Sequence, residues 1–252
     1  MAYFDSNGVQ IYFEEHGKGE PVVLVHGFAS RADHNWGAMN WYTTLAPHYR
    51  VVALDCRGHG KSGKPHDAAA YGGETMGEDV IRLLDHLGIK RTLIMGYSMG
   101  ARIVTGLLMH HPERLRAAVL GGIGAVSESA PSFDRRPIVE ALLAEDTPGN
   151  EQRGRDFRQF AESVGNDLKA LAACLSSNRE DFTGEQIAAA NIHVPTMIVL
   201  GTKDLLVGDP KLLRDSIPGS KLVMLEGQDH LSAPADQHYK EAVLEFFKSL
   251  PA

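Results

Sequence analysis

Cysteine is scarce in this chain. Cys56 and Cys174 are the two among 252 residues; they lie far apart, and no C-x-x-C or Cys/His ligand spacing surrounds them. A disulfide-stapled scaffold and a cysteine-bound metal are therefore not expected, and both read as reduced thiols. Positive charge is short as well, since 25 Lys and Arg face 32 Asp and Glu for a formal net charge of -7. Nucleic acid and anionic lipid both reward clustered cations, so neither is expected as a partner. Long apolar runs are missing too. The longest, Ala117 to Val126, is too short and too glycine-rich to cross a bilayer. The opening Met-Ala-Tyr-Phe-Asp-Ser-Asn-Gly has neither the basic nor the apolar region of a secretory signal. No membrane partner and a cytoplasmic location are expected.

What is present is a globular composition, 43% hydrophobic and 23% charged, at a length that suits one α/β unit. Ala2 to Ser6 and Val9 to Glu14 flank Asn7-Gly8, a two-residue hairpin signal. Val22 to Val25 is a continuous apolar run of the kind buried on both faces of a sheet. Further strands are predicted at Arg50 to Leu54, Arg91 to Met95, Leu115 to Ile123, Thr196 to Leu200 and Lys221 to Leu225. Helices are predicted at Asn40 to His48, at Thr75 to Leu87 with a capping box from Thr75 to Glu78, at Ala101 to His111, at Asp209 to Ile217, and from about Ala235 onward. Adjacent His110 and His111 point in different directions on a helix, which reads as a solvated C-terminus rather than a metal site.

From Gly124 to about Asn191 the strand signals stop. Phe157, Phe160, Ala161 and Val164 recur at i, i+3, i+4 and i+7, as do Leu168, Leu171, Ala172 and Leu175. The expected architecture is a mostly parallel central sheet flanked by helices, with residues 1–125 and 191–252 as its core. Residues 126–190 are expected to form a helical cap over one sheet edge, offering Phe157, Phe160, Leu168 and Leu171 to it.

The chemistry centres on Gly96-Tyr97-Ser98-Met99-Gly100, a G-x-S-x-G between a predicted strand and a predicted helix. A serine hydroxyl is a poor nucleophile until a base takes its proton, and a sharp strand-to-helix turn holds it clear of the sheet edge, where a base can reach it. The plainer alternative is a helix that Ser98 merely caps. Downstream, one predicted strand ends in Gly201-Thr202-Lys203-Asp204 and the next in Glu226-Gly227-Gln228-Asp229-His230. Ser98, Asp204 and His230 thus fall just past the ends of strands that a parallel sheet would bring to one edge. Asp209 and Asp229 are the other carboxylates near these ends.

With His26-Gly27-Phe28 after a strand and Asp55-Cys56-Arg57-Gly58-His59-Gly60-Lys61-Ser62 after the next, these residues make the chain resemble the α/β-hydrolase superfamily, in its subset with a small helical cap. The resemblance spans nearly the whole chain. It implies a catalytic triad of Ser98, Asp204 and His230, with the backbone N–H groups of Phe28 and Met99 as oxyanion hole. Pocket candidates are His26, Gly27, Trp36, Tyr97, Phe157 and Phe160, although tryptophans such as Trp36 more often pack than carry substrate. Serine at position 98 speaks against the related dehalogenases and epoxide hydrolases, which use aspartate there. The resemblance implies hydrolysis of small carboxylic esters with no metal or cofactor. Lactone hydrolysis, C–C bond hydrolysis and perhydrolysis remain open, as does a ligand receptor on the same fold. Tyr97 departs from the histidine that many relatives carry.

Gly58-His59-Gly60-Lys61-Ser62-Gly63 also matches G-x-G-x-x-G. A dinucleotide site needs a helix to open directly afterwards, and Lys64-Pro65-His66-Asp67 reads as a turn instead. A Walker loop fails because Asp55 stands where its first glycine belongs.

Overall fold

The structure is a computed structural model that describes residues 2–72, 74–129, 133–145, 151–177 and 182–251. Eight strands form one sheet: β1 (Ala2–Ser6), β2 (Val9–His16), β3 (Pro21–Val25), β4 (Arg50–Leu54), β5 (Thr92–Tyr97), β6 (Leu115–Gly121), β7 (Thr196–Gly201) and β8 (Lys221–Leu225). Their spatial order is β1-β2-β4-β3-β5-β6-β7-β8. β1 and β2 pair antiparallel, β2 pairs antiparallel with β4, and every later pairing is parallel. Asn7 and Gly8 turn the opening hairpin with φ of 53° and 83°, the left-handed pair that a tight hairpin of this kind requires.

The inner parallel strands are buried and largely apolar because helices cover both faces, whereas the edge strand β8 leaves Lys221 and Met224 exposed. Along β3 the alternation is visible residue by residue: Val23 and Val25 join one buried layer, Val22 and Leu24 the other. The first layer packs under α2 (Thr75–His86), α3 (Met99–His110) and α8 (Pro210–Ser216). The second packs under α1 (Trp41–Leu45) and α9 (Gln237–Lys248). The helix at α2 forms without the expected capping box. Glu74 occupies the N-cap position with no side-chain bond, and the Thr75 hydroxyl donates back to the Gly72 carbonyl at 2.7 Å. Histidines at the end of α3 are not simply solvated: His111 Nε2 lies 2.9 Å from Glu78 Oε1 and His110 Nε2 lies 3.1 Å from Glu74 Oε1.

Between β6 and β7 lie α4 (Arg136–Leu143), α5 (Gln152–Val164), α6 (Leu168–Ser176) and α7 (Gly184–Ala189). Of the segment 126–190, residues 130–132, 146–150 and 178–181 fall outside the described residues. Its apolar stripes converge on a small core of Ile138, Leu142, Ala161, Leu171, Ala172 and Leu175. Phe28 from the loop after β3 packs against the same cluster, so α4, α5 and α6 sit over the C-terminal edge of the sheet, whereas α7 packs through Ile187 into the first layer. Among the described residues, no helix is long and apolar enough to cross a membrane.

Candidate active site

Where β5 runs into α3, Ser98 has φ 53° and ψ -113°, a left-handed conformation that is costly for a residue bearing a Cβ. Its neighbours enforce it. A Cβ on Gly96 would run into the Gly100 carbonyl, and one on Gly100 would run into the carbonyls of Val25 and His26, so the helix start is pressed directly onto the end of β3. The Ser98 N–H donates to the Gly121 carbonyl at 2.8 Å. Its hydroxyl makes no capping bond to α3, which removes the plainer alternative of a mere helix cap. The side chain instead lines a cavity of about 650 Å³ between the sheet edge and the inserted helices.

His230 lines the same cavity. Its Nδ1 lies 2.7 Å from Asp204 Oδ2, and the Asp204 side chain is fully buried. The second oxygen of Asp204 accepts the Leu206 N–H at 3.0 Å. A carboxylate can only accept here, so Nδ1 carries the hydrogen and Nε2 keeps its lone pair. The two competing acids have other work. Asp209 caps α8 by accepting the Lys211 N–H at 2.7 Å. Asp229 Oδ1 ties its own turn together, accepting from Leu231 N, Ser232 N and Ser232 Oγ at 2.8 to 3.0 Å, and these bonds hold its carboxyl below the usual range.

Phe28 and Met99 both line the cavity. Met99 is the first residue of α3, so its N–H has no carbonyl partner within the helix. The loop carrying Phe28 lies against the elbow, since a Cβ on Gly27 would sit 3.5 Å from Ser98 Cβ. Two residues absent from the expected site hold that loop. Asn35 Oδ1 accepts the Gly27 N–H at 2.9 Å. Asn166, just past α5, donates to the Ala29 carbonyl at 2.7 Å and accepts the Gly60 N–H at 2.8 Å. No periodicity marks either, because each acts through loops distant in sequence.

Two of the pocket candidates lie elsewhere. His26 is fully buried behind the loop rather than in the cavity. Its Nδ1 lies 2.7 Å from the Gly27 carbonyl and its Nε2 accepts the Cys56 N–H at 3.0 Å, which fixes one neutral tautomer. Burial pushes its pKa down, so the ring is an uncharged brace between two loops. Trp36 is also fully buried and packs edge-on to Trp41 at 6.0 Å. A large apolar ring gains more by burial than by facing a cavity. Gly27, Tyr97, Phe157 and Phe160 do line the cavity, joined by His34 and Ser30. Leu168 and Leu171 do not line it; Leu171 packs fully buried inside the inserted helices, and Leu168 packs against the same cluster.

The Gly58 to Gly63 turn offers no phosphate cradle. Its amides are committed to Gly63 O, Cys56 O, Asn166 Oδ1, Asp55 Oδ2, His59 O and Gln10 O in order, and no helix follows Gly63 directly. Among the described residues one carboxylate and imidazole grouping has ligand-like spacing. It comprises Glu74, Glu78 and His111, with donor atoms within 4.8 Å of one another, and it is separate from the lining of the Ser98 cavity.

Residues 20–150 match the model of the alpha/beta hydrolase fold. The chain belongs to that family, and its relatives include hydrolases and, at 36% identity over 256 residues, 90% of both chains, a putative non-heme chloroperoxidase of Synechocystis. It is 28% identical over 240 residues, 94% of this chain and 77% of the relative, to the 2-hydroxy-6-oxo-6-(2'-aminophenyl)hexa-2,4-dienoic acid hydrolase of Metapseudomonas resinovorans. It is 29% identical over 221 residues, 79% of this chain and 80% of the relative, to 3-oxoadipate enol-lactonase 2 of Acinetobacter baylyi. A solved hydrolase from Pseudomonas aeruginosa superposes with a TM-score of 0.79 at 27% identity, covering 98% of both chains.

Proposed function

We propose that the protein is a serine hydrolase that cleaves small carboxylic esters through an acyl-enzyme intermediate. The observation that carries this is the Nδ1 to Asp204 contact of 2.7 Å, which leaves His230 Nε2 basic in the cavity that Ser98 enters from a strained elbow. Nε2 takes the hydroxyl proton as Ser98 Oγ bonds to the substrate carbonyl carbon, and the carbonyl π pair becomes the oxyanion. The N–H groups of Phe28 and Met99 stabilise that charge, each worth roughly 10² to 10³ in rate at comparable sites. Collapse of the intermediate expels the alkoxide, which takes the proton from His230. Water then repeats the sequence and frees Ser98. Asp204 holds the tautomer and offsets the imidazolium charge. No step calls on a metal, a redox cofactor, nucleic acid or a membrane.

The relatives' names favour a second reading, in which the same attack opens a lactone or breaks a C–C bond next to a carbonyl. Both begin with the same addition and differ in the leaving atom. A panel of p-nitrophenyl esters, a lactone and a β-diketone, combined with a fluorophosphonate probe, separates them. Many turnovers of esters with complete labelling at Ser98 are expected. Turnover of the lactone or diketone alone moves the proposal to that reading, and tight binding with at most one turnover moves it to a ligand receptor.

A further inference from the structure

Ser98 is locked by strand pairing and by glycine contacts, whereas His230 sits in the loop between β8 and a helical turn at Ala233–Ala235. Asp204 holds the imidazole ring, but the ring is only as well placed as the backbone that bears it, and a displacement of about 1 Å can cost roughly a hundredfold in rate. That backbone has its own anchor. The Tyr97 hydroxyl donates to the His230 carbonyl at 2.6 Å, and the two rings lie 5.3 Å apart. Tyr97 directly precedes Ser98 and is buried at the end of β5. One side chain therefore links the elbow that carries Ser98 to the loop that carries His230.

The surroundings are shaped for this phenol. A Cβ on Gly121 would come 2.8 Å from Tyr97 Cδ2, and one on Gly122 would come 2.8 Å from its Cζ and 3.0 Å from its hydroxyl. Gly121, the last residue of β6, and Gly122 just after it thus carry no side chain where the ring passes. Burial, with smaller contributions from Tyr239, Asp204 and Asp229, pushes the phenol pKa well up, so the hydroxyl stays a donor throughout the neutral range.

We propose that Tyr97 is a positioning residue for His230, holding its main chain in register with Ser98. This rests on Ser98 and His230 acting as nucleophile and base. The competing role is core filling, and the molecule contains a matched control. Tyr239 is a buried phenol in the same apolar layer, and its hydroxyl has no hydrogen-bond partner among the described residues.

The test compares Tyr97→Phe, Tyr239→Phe and the unsubstituted protein in three readouts: p-nitrophenyl acetate kinetics, the rate of fluorophosphonate labelling, and the low-field proton resonance of His230 Nδ1–H. Losing one such bond should lower kcat and the labelling rate by about tenfold, with KM held within about twofold. The resonance should shift or broaden in Tyr97→Phe, and Tyr239→Phe should leave all three readouts in place. A Tyr97→Phe protein indistinguishable from Tyr239→Phe overturns the proposal. So does a loss of kcat that only follows a loss of thermal stability. Failure of the underlying reading looks different, because Ser98→Ala would then keep its turnover. Even in that event an unmoved resonance in Tyr97→Phe overturns the tether, and a moved one supports it.

Discussion

At the sheet edge, Ser98 is surrounded by main chain: the Gly121 carbonyl holds its N–H, and Gly96 and Gly100 leave no room for another geometry. Across the cavity, Phe157 and Phe160 rest on the apolar cluster of Ile138, Leu142 and Leu171. The first region is specified by backbone collisions, which tolerate almost no substitution. The second is specified by buried area, which several apolar side chains supply equally well. A scaffold made this way can keep one chemistry while its roof is rebuilt for different substrates.

The sharpest way to break this contrast is at the proposed nucleophile. Ser98→Ala should keep the fold, by circular dichroism and melting temperature, and cut ester turnover by roughly 10⁴ to 10⁶. Near wild-type turnover would end the hydrolase reading. Asp204→Asn comes next, with a loss of roughly 10⁴ in kcat, because an amide can stabilise the wrong imidazole tautomer. Asp209→Asn should stay within a fewfold in the same assay, and equal damage from it would move the acid five residues on.

The roof is tested by three changes that differ in where the side chain points. Leu171→Ala removes a fully buried side chain from the small cluster and should cost about 2 to 4 kcal/mol in urea unfolding, leaving acyl-chain preference in place. Phe157→Ala and Phe160→Ala open the cavity, so kcat/KM along a p-nitrophenyl ester series should peak at longer chains, with about 0.8 kcal/mol for each methylene newly buried. An unshifted peak in both would make these rings pure packing. The smallest effect concerns a cap. Asp209→Ala removes the side-chain acceptor at the start of α8 and should lower stability by about 1 kcal/mol with kcat unchanged.

The same contrast explains what could be read from the sequence. Strand runs such as Val22 to Val25, the glycines around Ser98, and acids and imidazoles just past strand ends are local signals, and they place Ser98, Asp204 and His230 at one sheet edge; Ser98 and His230 line the cavity there, with Asp204 buried behind the His230 ring. Asn35 and Asn166 carried no such signal. Each satisfies an amide brought near only by folding, and Asn166 follows an ordinary helix stop at Gly165. His26 and Trp36 were misplaced for a related reason. Sequence shows that they adjoin the site but not which way they face, and an apolar or self-satisfied ring is pulled inward. At Thr75 the helix starts one residue earlier than a capping box needs: Glu74 is the N-cap, its carbonyl accepts the Glu78 N–H at 2.9 Å, and the Thr75 hydroxyl donates to the Gly72 carbonyl instead.

The conformation of Ser98 also sets a price on activity. At φ 53° and ψ -113° a glycine would sit without Cβ strain, a relief worth on the order of 1 to 3 kcal/mol against a whole-domain stability of roughly 5 to 15 kcal/mol. If Ser98 is the nucleophile proposed above, the position is held by turnover and against stability. A Ser98→Gly protein that melts higher than the unsubstituted one would show that the elbow's strain belongs to the serine side chain and not to the fold.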